Sequence, residues 1–194
     1  VQILAAKEQD IASCLARLAD IVPYLLAQAD EAFIEQIWSI LSLHKTLLRP
    51  LEYHGNVHIR TQAFHCLSKA LQALPERVDH QIPSNIIQYI YRNCLDDEVD
   101  IWLRSEAITL VAHINVEQLT GIVNNIFVTA PTADMYLRGR VVKLVCQKRL
   151  VNVAQILSKI QQDPSDYVRQ TLAKYSLSIE PYLRYQVLQQ LLDH

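Results

Sequence analysis

The chain has 194 residues, 51% of them hydrophobic and 20% charged, with a net charge of −2. That is enough apolar chain to bury a core without disulfides or metal staples, and it lacks the basic excess of a protein that grips nucleic acid over its whole surface. Only 3 glycines occur, far below the usual share of about 7%, which argues against sandwiches, barrels and doubly wound sheets.

Apolar residues recur at helical spacing from end to end, as in Phe64, Leu67, Leu71, Leu74 or Val153, Ile156, Leu157, Ile160. No run of strict alternation appears, so no strand is expected. Seven prolines and the polar clusters around them divide the chain into predicted helices at 2–20, 22–48, 57–74, 83–95, 99–114, 116–129, 132–149, 151–162, 165–178 and 181–193. The irregular pieces are 49–56 and 76–82. Neither is a long linker, so the chain reads as a single domain, 1–194.

No run of about 18 apolar residues marks a membrane span, so no membrane partner is expected. The first residues form no secretory signal. Cys14, Cys66, Cys94 and Cys146 are far apart and form no CxxC pair. They read as reduced, buried thiols of an intracellular protein, cytoplasmic in preference to nuclear.

Four helices open alike. An acidic or amide residue precedes an aliphatic residue, an arginine and a further apolar residue: Asn56 to Arg60 and Ala63, Asp100 to Arg104 and Ala107, Asp134 to Arg138 and Val141, and Asp166 to Arg169 and Ala173. A leading Asp or Asn caps the first free N–H groups and suits the positive end of the helix dipole. The arginine, one turn in, is placed to meet an Asp of the neighbouring repeat and form a ladder. A second echo links Ile21-Val-Pro-Tyr-Leu with Ile179-Glu-Pro-Tyr-Leu.

The stretch Asp163-Pro-Ser-Asp-Tyr-Val-Arg169-Gln-Thr-Leu-Ala173 resembles the second-helix signature of HEAT repeats, with looser copies at Arg104, Arg138 and Arg60. The resemblance covers residues 50–194; residues 1–48 form a divergent helical pair. It implies an all-α, right-handed α-α superhelix, a solenoid of about 4–5 HEAT-like helical hairpins in which each pair hides its apolar face against the next. It also gives structural roles to Arg60, Asp100, Arg104, Asp134, Arg138, Asp163, Asp166 and Arg169. The last helix is apolar to the chain end, so the chain is expected to be a piece of a longer repeat protein, with further repeats of the same parent as neighbours.

Catalytic, cofactor and metal sites are not expected. His54 and His58 stand four apart, but Gly55 and Asn56 between them read as a helix cap, and no further ligand is near in sequence. HEAT-like iron hydroxylases carry His-Glu pairs, and none occurs here. The cluster Asp96-Asp97-Glu98-Val99-Asp100 is explained by capping and solvation. GxSxG motifs and P-loops are absent.

The charge is unevenly spread. Residues 135–162 carry six basic and no acidic side chains, whereas 76–106 carry seven acids and three bases. The leading expectation is a non-enzymatic scaffold or recognition arm that binds a protein partner, an acidic one among the candidates, through the ridge of second helices. Its contact strip comprises Gln62, His65, Lys69, Thr109, Arg140, Lys143, Gln147, Gln170 and Lys174. The alternative is a nucleic-acid-binding module using 135–162. A third reading, a small HEAT-like enzyme such as a pigment lyase, has no residue to carry it. Trp102, Tyr136 and Tyr167, beside the repeat arginines, are expected to pack between repeats.

Overall fold

Apolar residues every third or fourth position wind this chain into helices throughout. The computed structural model describes residues 2–28, 30–42, 55–73, 82, 84–129, 131, 134–148 and 154–192, and no strand occurs among them. The α-helices are α1 (Gln2–Gln28), α2 (Glu31–Ser42), α3 (Val57–Ala73), α4 (Ser84–Leu95), α5 (Ile101–Ile114), α6 (Val116–Asn124), α7 (Met135–Lys148), α8 (Ala154–Gln161), α9 (Asp166–Tyr175) and α10 (Pro181–Leu192). A π-helical turn, Asn125–Thr129, extends α6, and a 3-10 turn, Ser176–Ser178, extends α9.

From Val57 onward the predicted helices are met to within three residues wherever the ends are described, apart from the 3-10 turn that finishes α9. The start differs. A break was expected after Asp20, yet α1 runs through Pro23 to Gln28. Proline inside a helix costs about 3 kcal/mol, but Ala12, Leu15, Ala19, Val22 and Leu26 continue one buried stripe across it, and that burial keeps the helix whole. The break falls at Asp30, whose Oδ1 accepts the N–H of Phe33 at 2.8 Å. His54 and the irregular stretches 49–54 and 76–81 lie outside the described residues.

The chain forms two compact units, Val1–Ile114 and Asn115–His194. In the first, α1 lies along α3, α3 packs on α5, and α4 packs on α5. Its core holds Leu15 and Leu26 of α1, Phe64 and Leu67 of α3, Ile90 of α4, and Leu103, Ile108 and Leu110 of α5. In the second, α7 packs on α9, and α8 packs on α9 and α10. Leu119, Ile122, Val141, Val142, Ile160, Val168 and Leu172 are fully buried there.

The repeated openings act as caps. Oδ1 of Asn56 accepts the N–H groups of His58 (2.9 Å) and Ile59 (3.3 Å). Asp100 accepts those of Trp102 (3.0 Å) and Leu103 (3.2 Å), and Asp134 those of Tyr136 (2.8 Å) and Leu137 (2.9 Å). The fourth copy is shifted. Asp166 is already the first residue of α9, and the cap position is Ser165, whose carbonyl accepts the Arg169 N–H. In that register each repeat arginine stands four residues after its cap.

The expected Asp–Arg ladder between repeats is not continuous. Arg104 turns back to the loop before its own helix, donating from Nε to the Cys94 carbonyl (2.8 Å) and pairing with Asp97. Arg169 likewise grips the Asp163 carbonyl and the Asp166 carboxylate. Arg60 meets the Tyr89 hydroxyl (3.2 Å) instead of an acid, and its Nε is buried without a partner. Arg138 alone of the four makes the expected bond to the acid of the following helix opening, Asp163. Arg104 and Arg169 each take up a carbonyl at, or just after, the end of the preceding helix. Arg184, overlooked in the repeat pattern, does the same for the carbonyls of Ser176 (3.3 Å), Leu177 (2.7 Å) and Ile179 (3.1 Å). Glu180, four residues before it, was the available signal.

Candidate functional site

The openings of α3 and α5 border a cleft of about 550 Å³ in the first unit. Helical spacing builds both walls. Val57, His58, Thr61, Gln62 and His65 form one face of α3; Trp102 and Glu106, one turn apart on α5, form the other, with the cap Asp100 at the end. His65 Nδ1 and Glu106 Oε2 stand 3.2 Å apart across the cleft. The Glu106 side chain is only 15% exposed and that of His65 36%. Trp102 is 65% exposed, so its packing role between repeats is not met. An indole at the surface beside a recessed carboxylate gives the cleft an apolar platform and a negative charge within one helical turn.

Of the strip proposed from sequence, Gln62 and His65 line this cleft and Lys69 lies one turn further along α3, half-buried. Thr109 does not belong to any strip. It is 9% exposed, and its hydroxyl donates to the Ser105 carbonyl at 2.8 Å, so the open face of α5 does not extend one turn past Glu106. The remaining five residues lie in the second unit. Lys143 of α7 and Lys174 of α9 converge on Tyr175, their Nζ atoms 5.4 and 5.6 Å from the ring centroid. Arg140 is half-buried, and Gln147 and Gln170 are exposed. The strip is therefore two clusters of different chemistry, one in each unit. His58, Asp100, Trp102 and Glu106 were missed as site members. The signal was the Trp102–Glu106 spacing, masked by the assignment of Trp102 to packing.

The basic segment 135–162 does not present all of its charge at the surface. Arg138 is buried against Asp163. Lys148 is partly buried, and desolvation pulls its ammonium below the ordinary lysine range. Arg149 lies outside the described residues. Tyr136 and Tyr167 stand against each other at the surface, with ring centroids 5.4 Å apart.

The acidic loop follows the capping reading. Asp96 Oδ1 accepts the Glu98 N–H at 2.9 Å, Asp97 pairs with Arg104, and Asp100 caps α5. Among the described residues no group of three or more His, Cys, Asp or Glu side chains is arranged to hold a metal ion, and no helix is long and apolar enough to cross a membrane. Cys66, Cys94 and Cys146 are buried, but Cys14 is exposed, against expectation. Burial pushes the Cys66 thiol up to about 11 and that of Cys146 to about 12, and raises Cys94 further still against the opposing pull of Arg104.

No family model, curated protein or solved structure matches this chain.

Proposed function

We propose that the chain is a HEAT-like α-solenoid module that binds a partner protein, without catalysis, and that its contact surface centres on the α3/α5 cleft. The exposed indole of Trp102 at that cleft carries the reading. Tryptophan is a characteristic anchor of protein interfaces, and the polar rim around it suits such a surface. The solenoid reading is supported by the packing of successive signature-bearing helices within each unit, α3 on α5 and α7 on α9. The recurring cap-to-arginine register adds to it. Among the described residues no lysine or arginine lines the cleft, which favours a protein ligand over nucleic acid, and the buried Arg138–Asp163 pair weakens the basic segment as a footprint for phosphates.

The test is photo-crosslinking from Thr61, on the cleft wall, combined with oligonucleotide titrations at two salt concentrations. A protein adduct formed by the parent chain, lost with Trp102→Ala and kept with Arg140→Glu/Lys143→Glu, is the expected result. Tight oligonucleotide binding that weakens steeply with salt and is abolished by the double charge reversal would overturn the reading.

A further inference from the structure

The chemistry of the cleft narrows its ligand. Trp102 and Glu106 lie one turn apart on α5 and line the same wall, so an incoming group meets the indole and the carboxylate together. Asp100 adds a second carboxylate at the cleft end. The ionisable groups facing them from α3 are the imidazoles of His58 and His65. The one arginine on the same stretch of α5, Arg104, is turned into the core and paired with Asp97.

We propose that this cleft receives an arginine side chain presented by the partner protein. A guanidinium is flat and weakly hydrated, so it stacks on an indole while its edge donates to a carboxylate. An ammonium is a compact point charge with strong hydration and cannot satisfy both contacts in one plane. Glu106 is recessed from solvent and held by His65, so its charge is less screened than that of a surface glutamate. The residues leading into α5 and its first turns add to the attraction, since 96–106 carry five acids and one base. The partner is thus basic where it meets this cleft, in contrast to the acidic partner suggested by the composition of 135–162. The inference rests on the protein-binding reading above.

The test is NMR titration of the full chain, isotope-labelled, with three acetylated and amidated tripeptides: of arginine, of lysine and of glutamate. Tri-arginine is expected to shift the Trp102 indole N–H and the Glu106 amide. Glu106→Gln and Trp102→Ala should each weaken it about tenfold, the scale of one lost charge-assisted contact. Glu98→Gln, which removes an exposed acid outside the cleft, should leave binding unchanged. Trp102→Ala keeps the test valid if Glu106→Gln proves unstable. Equal binding of tri-lysine, or equal weakening by Glu98→Gln, would overturn the arginine assignment as general charge attraction. Tri-glutamate shifting the same signals would overturn it while leaving the cleft as a protein-docking site. Silence from all three peptides would overturn it too, and the Trp102-dependent crosslink then decides the protein-binding reading on its own.

Discussion

Arg138 and Asp163 face each other through two hydrogen bonds, from Nε at 2.7 Å and Nη2 at 3.0 Å, across 25 residues of chain. Their side chains are 8% and 4% exposed. Asp163 also accepts the Ser165 N–H at 2.9 Å and offers its carbonyl to Arg169. The pair therefore ties α7 to the turn that starts α9. Removing one partner leaves a buried, uncompensated charge, which costs about 3–5 kcal/mol. Asp163→Ala is expected to cost that much in urea denaturation. Asp166→Ala, which breaks the exposed pair with Arg169, should cost no more than about 1 kcal/mol. Equal costs for the two would show that Asp163 is not the anchor of this turn.

The helices were legible because burial follows a period of three to four residues, and Pro164 and Pro181 fall at helix starts. Pro23 is the exception, since a local rule cannot see that the buried stripe of α1 continues on both sides of it. The caps at Asn56, Asp100 and Asp134 were legible for the same local reason. The partners of Arg60, Arg104 and Arg169 were not, because they depend on what the rest of the fold brings to each guanidinium. Thr109 and Trp102 exchanged roles for a related cause. A polar residue at a plausible surface position was read as exposed and an aromatic as packed. On α5 the Thr109 hydroxyl satisfies itself on its own backbone, while the indole stands at a cleft that needs two helices to exist.

The cysteines give a prediction about alkaline pH. Burial raises the thiols of Cys66 and Cys146 from 9.0 to about 11 and about 12, so the folded state holds those protons more tightly than the unfolded chain. Their contribution to stability is whole below pH 9 and is lost as the pH rises through 11 to 12. Cys66→Ala should flatten this fall in a series of thermal melts, after allowing for the small cavity it leaves. An unchanged slope would place the alkaline loss elsewhere. At pH 8, alkylation of the native chain should label the exposed Cys14 alone.

Two seams run along α1 at the same spacing. Leu15, Ala19, Val22 and Leu26 are buried, while Ile11, Cys14, Leu18, Ile21 and Leu25 are exposed. Adjacent β-branched residues thus sit in opposite surroundings. Val22→Ala should lower stability by about 1–3 kcal/mol, the usual cost of emptying a packed site. Ile21→Ala should stay within about 0.5 kcal/mol of the parent. The helix-propensity gain is similar for both, so the difference reports packing. Similar losses at both positions would mean that the exposed seam is covered in solution.

Gly139 lies in the middle of α7, where glycine costs about 1 kcal/mol relative to alanine. The structure supplies the reason for keeping it. A Cβ at this position would run into Cε1 of Tyr167 on α9, closer than real contacts allow. Tyr167 is 43% exposed, so its ring can swing outward and relieve the clash, at the expense of its contact with Tyr136. An aromatic pair of this kind contributes about 0.5–1.5 kcal/mol, close to the propensity gained. Gly139→Ala alone should therefore change stability little, while the nuclear Overhauser contacts between the two tyrosine rings disappear. In a Tyr167→Ala background the obstacle is gone, and the same substitution should stabilise the chain by about the full 1 kcal/mol of helix propensity. A Gly139→Ala effect that is identical in both backgrounds would mean that the Tyr167 ring does not dictate the glycine.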